Sequence, residues 1–148
     1  MKASPIAAAR ENRGHNLDGI FRTGNNSSMW EVEYTDDFEA WWDGLPEGAQ
    51  EALDATVQLL IEDGPQLRFP HSSGVKGSRH GHMRELRMQY QGRPYRVLYA
   101  FDSRRTAILL IGGDKTGADR WYAEYIPYAD RLYDEHLIGV QKEQDDHE

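Results

Sequence analysis

Three alternating segments joined by short turns constrain this chain more than anything else in it. In E-L-R-M-Q-Y (85–90), Leu86, Met88 and Tyr90 share one face, and Glu85, Arg87 and Gln89 share the other. In P-Y-R-V-L-Y-A-F (94–101), Tyr95, Val97, Tyr99 and Phe101 oppose Arg96, Leu98 and Ala100. T-A-I-L-L-I (106–111) is apolar on both faces, the pattern of a central strand. Q-G-R-P (91–94) and D-S-R-R (102–105) supply the turn chemistry between them. The pattern predicts an antiparallel meander, which the rest of the chain must cover.

The covering elements are legible on both sides. W-E-V-E-Y (30–34) alternates as a short strand. Thr35 then caps a helix whose first turn carries Asp36 and Asp37, favourable near the positive helix end. Phe38, Trp41, Trp42 and Leu45 form its apolar stripe; Gly44 ends it, and Pro46 opens a second helix. In that helix Ala49, Leu53, Val57, Leu60 and Ile61 recur at helical steps until D-G-P at 63–65. A loop of roughly twenty residues follows, a length that is usually functional in a small domain. A last helix is expected from Ala118 or Asp119, kinked or split at Pro127. The order β-α-α-β-β-β-α describes an α+β domain: an N-terminal strand and helical hairpin packed on a small antiparallel sheet, with a C-terminal helix, and helices on one face. The domain spans 29–140. Residues 1–28 read as a disordered leader or extension, with Met29 an alternative start, and 141–148 as a frayed acidic tail.

Composition narrows the function classes. The 148 residues contain no cysteine, which excludes disulfides and thiolate metal sites. No apolar run approaches a membrane span, and the first residues lack the apolar core of a secretory signal. A cytoplasmic location without a membrane partner is expected. The formal net charge is −8, but between Val75 and Arg120 ten basic residues face four acidic ones. That window carries +6 and the remainder −14, an asymmetry that fits a polyanion-facing surface or a solvated arginine face.

I-G-G-D-K-T-G (111–117) looks phosphate-binding. A nucleotide P-loop would need glycines at 109 and 114, where the chain has Leu109 and Asp114. Locally it reads as a strand end, a Gly-Gly turn and a lysine beside a helix start. Lys115, nearby backbone N–H groups and Tyr122 either form one wall of an anion site or leave Lys115 merely solvated.

The ordered set W-E-V-E-Y-T-D-D-F-E-A-W-W, V-K-G-S-R-H-G-H-M-R-E-L-R, G-R-P-Y-R-V-L-Y-A-F, A-I-L-L-I-G-G-D-K-T and W-Y-A-E-Y-I-P-Y-A-D-R-L-Y resembles the RelE/ParE toxin superfamily, and within it the phage-type HigB-like toxins of type II toxin–antitoxin systems. The resemblance covers roughly residues 29–138. It implies a metal-independent, cofactor-free, ribosome-associated mRNA endonuclease that inhibits translation. Its expected partners are the ribosome, mRNA and a cognate, helix-turn-helix-type antitoxin. The ParE branch implies instead a gyrase poison, and a third reading is a catalytically silent antitoxin-binding module.

In ribonuclease members a ribose 2′-OH attacks the adjacent phosphate. Fixed cations stabilise the growing negative charge, one group takes the 2′-OH proton, and another protonates the 5′-oxygen. The resemblance places Arg87, Arg96, Lys115 and Tyr122 in this catalytic role. Glu85 departs from the pattern, standing where the best-known members have another base-capable lysine. Arginine is a poor proton carrier, so His80, His82 and Lys76 are candidates for proton transfer, against a reading of H-G-H as two exposed loop histidines. Arg79, Arg84, Arg93, Arg104, Arg105, Arg120 and Trp121 are candidate RNA contacts. Arginines at hairpin turns are also commonly just solvated, and Trp121 fits a core position equally well. His71, His80 and His82 have no evident carboxylate partner for a metal, and no metal site is expected.

Overall fold

The structure is a computed structural model describing residues 4–14 and 29–146. Its strands are β1 (Glu31–Tyr34), β2 (Ser72–Gly74), β3 (Arg84–Tyr90), β4 (Arg93–Phe101) and β5 (Thr106–Asp114). They form one sheet in the order β1-β5-β4-β3-β2. The meander is as read, with Arg87 opposite Arg96 across β3–β4 and Leu98 opposite Ile111 across β4–β5. β1 joins β5 in parallel, so the sheet is mixed.

The helical hairpin is α2 (Asp36–Asp43) and α3 (Glu47–Asp63). Thr35 caps α2 by accepting from the Phe38 N–H at 3.0 Å, and its hydroxyl donates to the Leu110 carbonyl at 2.7 Å. That second bond fixes where the helix leaves the sheet. The hairpin covers one sheet face, burying Phe38, Trp42, Leu53, Val57 and Leu60 against Leu86, Val97, Tyr99 and Leu109.

The expectation of helices on one face is corrected. The C-terminal helix α4 (Trp121–Asp146) lies against the opposite face, where Trp121, Ile126, Ala129 and Leu132 meet Leu98, Ala100, Ile108 and Leu110. β5 is apolar on both faces because it has two covers. A register shift at Leu98/Tyr99 lets Leu110 and Ile111 both join the α4-side core. α4 runs unbroken through Pro127 and continues to Asp146, so residues 141–146 are helical.

Two further expectations change. Residues Pro5–Gly14, inside the stretch read as a disordered leader, form helix α1. Ile6, 1% exposed, and Ala9 enter the α2–α3 core. Ser4 donates to Asp54 at 2.6 Å, and Arg10 pairs with Glu39 and Asp43 at 3.1 and 2.6 Å. Among the described residues Ile6 and Ala9 are its only buried apolar side chains, too few to register as a period. Residues 15–28 lie outside the described residues.

The Gly-Gly pair is strand, not turn. A Cβ on Gly112 would stand 2.2 Å from the Trp41 ring, and one on Gly113 2.5 Å from Trp121 Nε1. Glycine is required because an indole packs closely against the backbone from each side. The loop after α3 also contains β2, whose three residues are too short to show alternation.

Candidate active site

β3 and β4 send Glu85, Arg87 and Arg96 to the α4 side, at the end of the sheet where α4 begins. Arg96 stands opposite Gly113, the glycine that makes room for Trp121. This seats the first turn of α4 over Arg96 and brings Tyr122 to the cluster. Lys115 is held one step past β5, its N–H donating to the Pro94 carbonyl at 2.9 Å.

The cluster converges on one oxygen. Glu85 is 3% exposed, and its Oε1 accepts from Arg87 Nη1 at 2.9 Å, Tyr122 Oη at 3.1 Å and Ser73 Oγ at 3.2 Å. Arg96 Nε is 3.7 Å from the same oxygen. Lys115 Nζ donates to Tyr122 Oη at 3.4 Å, extending the chain from the buried carboxylate to a half-buried ammonium. Glu85 Oε2, Arg96 Nε and Trp121 Nε1 are buried with no hydrogen-bond partner among the described residues. Arg96 is itself only 5% exposed, and its Nη1 donates to the Tyr95 carbonyl. Its charge therefore acts from beneath, while Arg87 and Lys115 are the cations within reach of solvent.

The environment sorts the protons. Burial lowers the Lys115 pKa from the ordinary 10.5, Arg96 and Arg87 lower it further, and Glu85 opposes them. Burial raises the Tyr122 pKa above 10.0, with Glu85 adding to the rise and Arg96 opposing it. Near neutrality Tyr122 keeps its proton, and Lys115 releases one more readily than a free lysine does. Three cations against one carboxylate, beside an OH that both donates and accepts, can hold a phosphodiester and move a proton along it.

The family model described as "Phage derived protein Gp49-like (DUF891)" matches residues 40–134, a span that contains all five cluster residues. The chain belongs to this Gp49-like family. It is 44% identical over 115 residues to "Putative toxin HigB2" of Mycobacterium tuberculosis (strain ATCC 25618 / H37Rv), covering 74% of this chain and 57% of HigB2. It is 42% identical over 94 residues to "Putative toxin HigB3" of the same organism, covering 63% of this chain and 81% of HigB3. A free-state double arginine-to-alanine mutant of the E. coli toxin RelE aligns with a TM-score of 0.49 and 12% identity, over 63% of this chain and 90% of RelE.

Within this Gp49-like domain the other expected site residues are dispersed. His80 Nε2 lies 2.8 Å from Asp134 Oδ1, and His82 Nε2 lies 3.4 Å from Tyr133 Oη. Arg79 pairs with Asp134, and Ser78 Oγ and the Arg79 N–H donate to Asp130. These contacts clamp the 78–82 loop onto the middle of α4. Lys76 is exposed in the same loop. Arg84 alternates with Arg87 and braces the fold by donating to Ser72 Oγ and the Leu67 carbonyl. Arg93 pairs with Asp114 at 2.9 Å. Arg104 and Arg105 sit at the far end of β4 and β5. Arg104 pairs there with Asp102 and Glu33, and Arg105 lies 3.9 Å over the Trp30 ring. Arg120 is exposed just before α4, whereas Trp121 is buried and stacks on Tyr125. Among the described residues no group of three or more potential ligands is gathered for a metal, and no helix is long and apolar enough to cross a membrane.

Glu85 is the member whose role sequence reading missed. Its place on the same strand face as Arg87 and Arg96 was visible, but its burial under Tyr122 depends on how α4 docks. Ser73 was hidden for the same reason as β2 itself.

Proposed function

We propose that this protein is the toxin of a type II toxin–antitoxin pair and cleaves ribosome-bound mRNA as a metal-independent endoribonuclease. The observation that carries the reading is the chain Lys115–Tyr122–Glu85, flanked by Arg87 and underlain by Arg96. The names of the two Mycobacterium relatives support the toxin role. The implied partners are a cognate antitoxin, the ribosome and mRNA, in the cytoplasm.

Arg87 and Lys115 contact the scissile phosphate, and Arg96 adds fixed positive potential below it. The 2′-oxygen attacks phosphorus while its proton passes to Tyr122 Oη, as the phenol's own proton moves to Glu85 Oε1. The new P–O2′ bond forms, the P–O5′ bond breaks, and Lys115 Nζ gives a proton to the departing O5′. The products are a 2′,3′-cyclic phosphate and a 5′-hydroxyl. The proton left on Glu85 then returns through Tyr122 to Lys115, which resets the site.

Single-turnover cleavage of mRNA in a programmed ribosome tests this. The wild type is expected to leave 5′-hydroxyl and cyclic-phosphate ends, and Tyr122→Phe to slow the step by about a hundredfold, the scale of a lost proton-transfer group. An intact message with the wild type would end the nuclease reading.

A further inference from the structure

Phe69 lies outside every role assigned so far. It is the most exposed of the large hydrophobic side chains among the described residues, at 71%. An exposed apolar side chain is unremarkable by itself. Two observations separate this one from the ordinary case.

The first is how the ring is held. Leu67, two residues before it, is buried, and its carbonyl accepts from Arg84 Nη2. The His71 and Ser72 N–H groups both donate to the Arg68 carbonyl, at 3.0 and 3.1 Å, closing the turn around Phe69. The Arg87 N–H donates to the His71 carbonyl at 2.9 Å, tying that turn to β3. The ring is presented on a hydrogen-bonded support next to the sheet.

The second is its neighbour. The Arg87 guanidinium carbon lies 5.1 Å from the centre of the Phe69 ring, and the same guanidinium donates to Glu85 at 2.9 Å. One arginine thus connects the exposed ring to the charged cluster. A partner that brings an anion to Arg87 and a flat apolar surface to Phe69 satisfies both groups at once. A nucleotide has that combination in one unit, its phosphate next to its base.

We infer that Phe69 is a stacking platform for an unpaired nucleobase of the RNA whose backbone lies on Arg87. This rests on the nuclease reading above and adds a positioning residue to it. Every base has a flat face, so the contact fixes the position of the strand without selecting a sequence.

The test uses mRNA in a programmed ribosome, blocked by a 2′-O-methyl group at the cut site and carrying 2-aminopurine at each codon position in turn. The full-length protein is added as wild type, Phe69→Ala, Phe69→Leu or Phe69→Trp, and both fluorescence quenching and affinity are read. Quenching at one position is expected with wild type and Phe69→Trp. It should vanish in Phe69→Ala and Phe69→Leu, with about a tenfold loss of affinity in Phe69→Ala, the lower end for one base–aromatic stack. All four proteins should melt alike, because the ring is exposed. Equal quenching in Phe69→Ala overturns the inference. So does wild-type affinity in Phe69→Leu, which would assign the ring to an apolar contact with a protein. If the wild type neither binds nor, on unblocked message, cleaves, the nuclease reading falls and this inference with it. Cleavage that is indifferent to Phe69 overturns the inference alone.

Discussion

The two faces of the sheet are built from the same strands and sealed by different means. On the α2–α3 side, Phe38, Leu53, Val57 and Leu60 are fully or almost fully buried against Leu86, Val97 and Leu109. On the α4 side the apolar contacts end at a buried Glu85–Arg96 pair. The helix there is also tied down by polar groups: Asp102 to Arg104 and His136, Asp130 to Ser78, and Asp134 to Arg79 and His80. Apolar burial stabilises without geometric demands, whereas a buried ion pair roughly offsets its own desolvation at best. The first face is therefore held mainly by apolar contact. The second adds charges at defined positions to its own apolar core of Leu98, Ile108, Leu110, Trp121 and Leu132.

Substitutions on each face test this contrast. Phe38→Ala should cost about 3–5 kcal/mol in denaturant unfolding, the range for emptying a buried aromatic site. A loss below about 1 kcal/mol would show that apolar contact is not what holds this face. Lys115→Met should lower the single-turnover rate by about a hundredfold while leaving the melting temperature nearly unchanged. A parallel fall in both would assign Lys115 to stability instead. Because Lys115 must be protonated to donate, and its pKa is lowered, the wild-type rate should decline with rising pH before the ordinary lysine value of 10.5. Burial and Glu85 push the Tyr122 phenol the other way, above 10.0, so its own deprotonation is displaced to higher pH.

The adjacent glycines compare the faces at one point of the chain. Gly112→Ala drives a methyl into Trp41, and Gly113→Ala drives one into Trp121. Each should destabilise by about 1–3 kcal/mol, as overpacking does. Only Gly113→Ala should also reduce cleavage, because moving Trp121 moves Tyr122. Equal activity in the two variants would break the division of labour.

A smaller effect concerns acid. Burial alone would raise the Asp102 pKa, but hydrogen bonds from His136 and Arg104 bring it down to about 2. A depressed carboxylate contributes stability above its unfolded value and loses it as pH falls through the folded one. Thermal unfolding should therefore show an Asp102-dependent loss between 3.8 and about 2, and Asp102→Asn should flatten that segment of the profile. The smallest change is expected for Arg93→Ala, which removes an exposed pair with Asp114 and should leave melting unaltered.

What was legible in the sequence follows the same contrast. Periodicity exposed the meander and the α2–α3 hairpin, because a sealed apolar face writes itself as a repeat. Alternation put Arg87 and Arg96 on the face opposite the aromatic stripe; their register, and the approach of Lys115 and Tyr122 to the same carboxylate, come from the fold. The side of the sheet that α4 takes was not legible, since β5 is apolar on both faces. Nor was the burial of Arg96, which depends on Trp121 lying over Gly113. The histidines of H-G-H looked available for proton transfer, yet their partners Asp134 and Tyr133 are about fifty residues away on α4 and leave no local pattern. Among the described residues helix α1 buries only Ile6 and Ala9 as apolar contacts and gives almost no signal.

On the proposed reading, the polar end of the α4 face cleaves RNA. Mapping 5′ ends of cellular mRNA shortly after induction without antitoxin tests it most directly, comparing wild type with Tyr122→Phe and Lys115→Met. Cuts confined to translated regions in the wild type, and absent from both variants, are the expected result. Intact mRNA alongside growth arrest by the wild type would contradict the claim and move the search for a target to DNA gyrase.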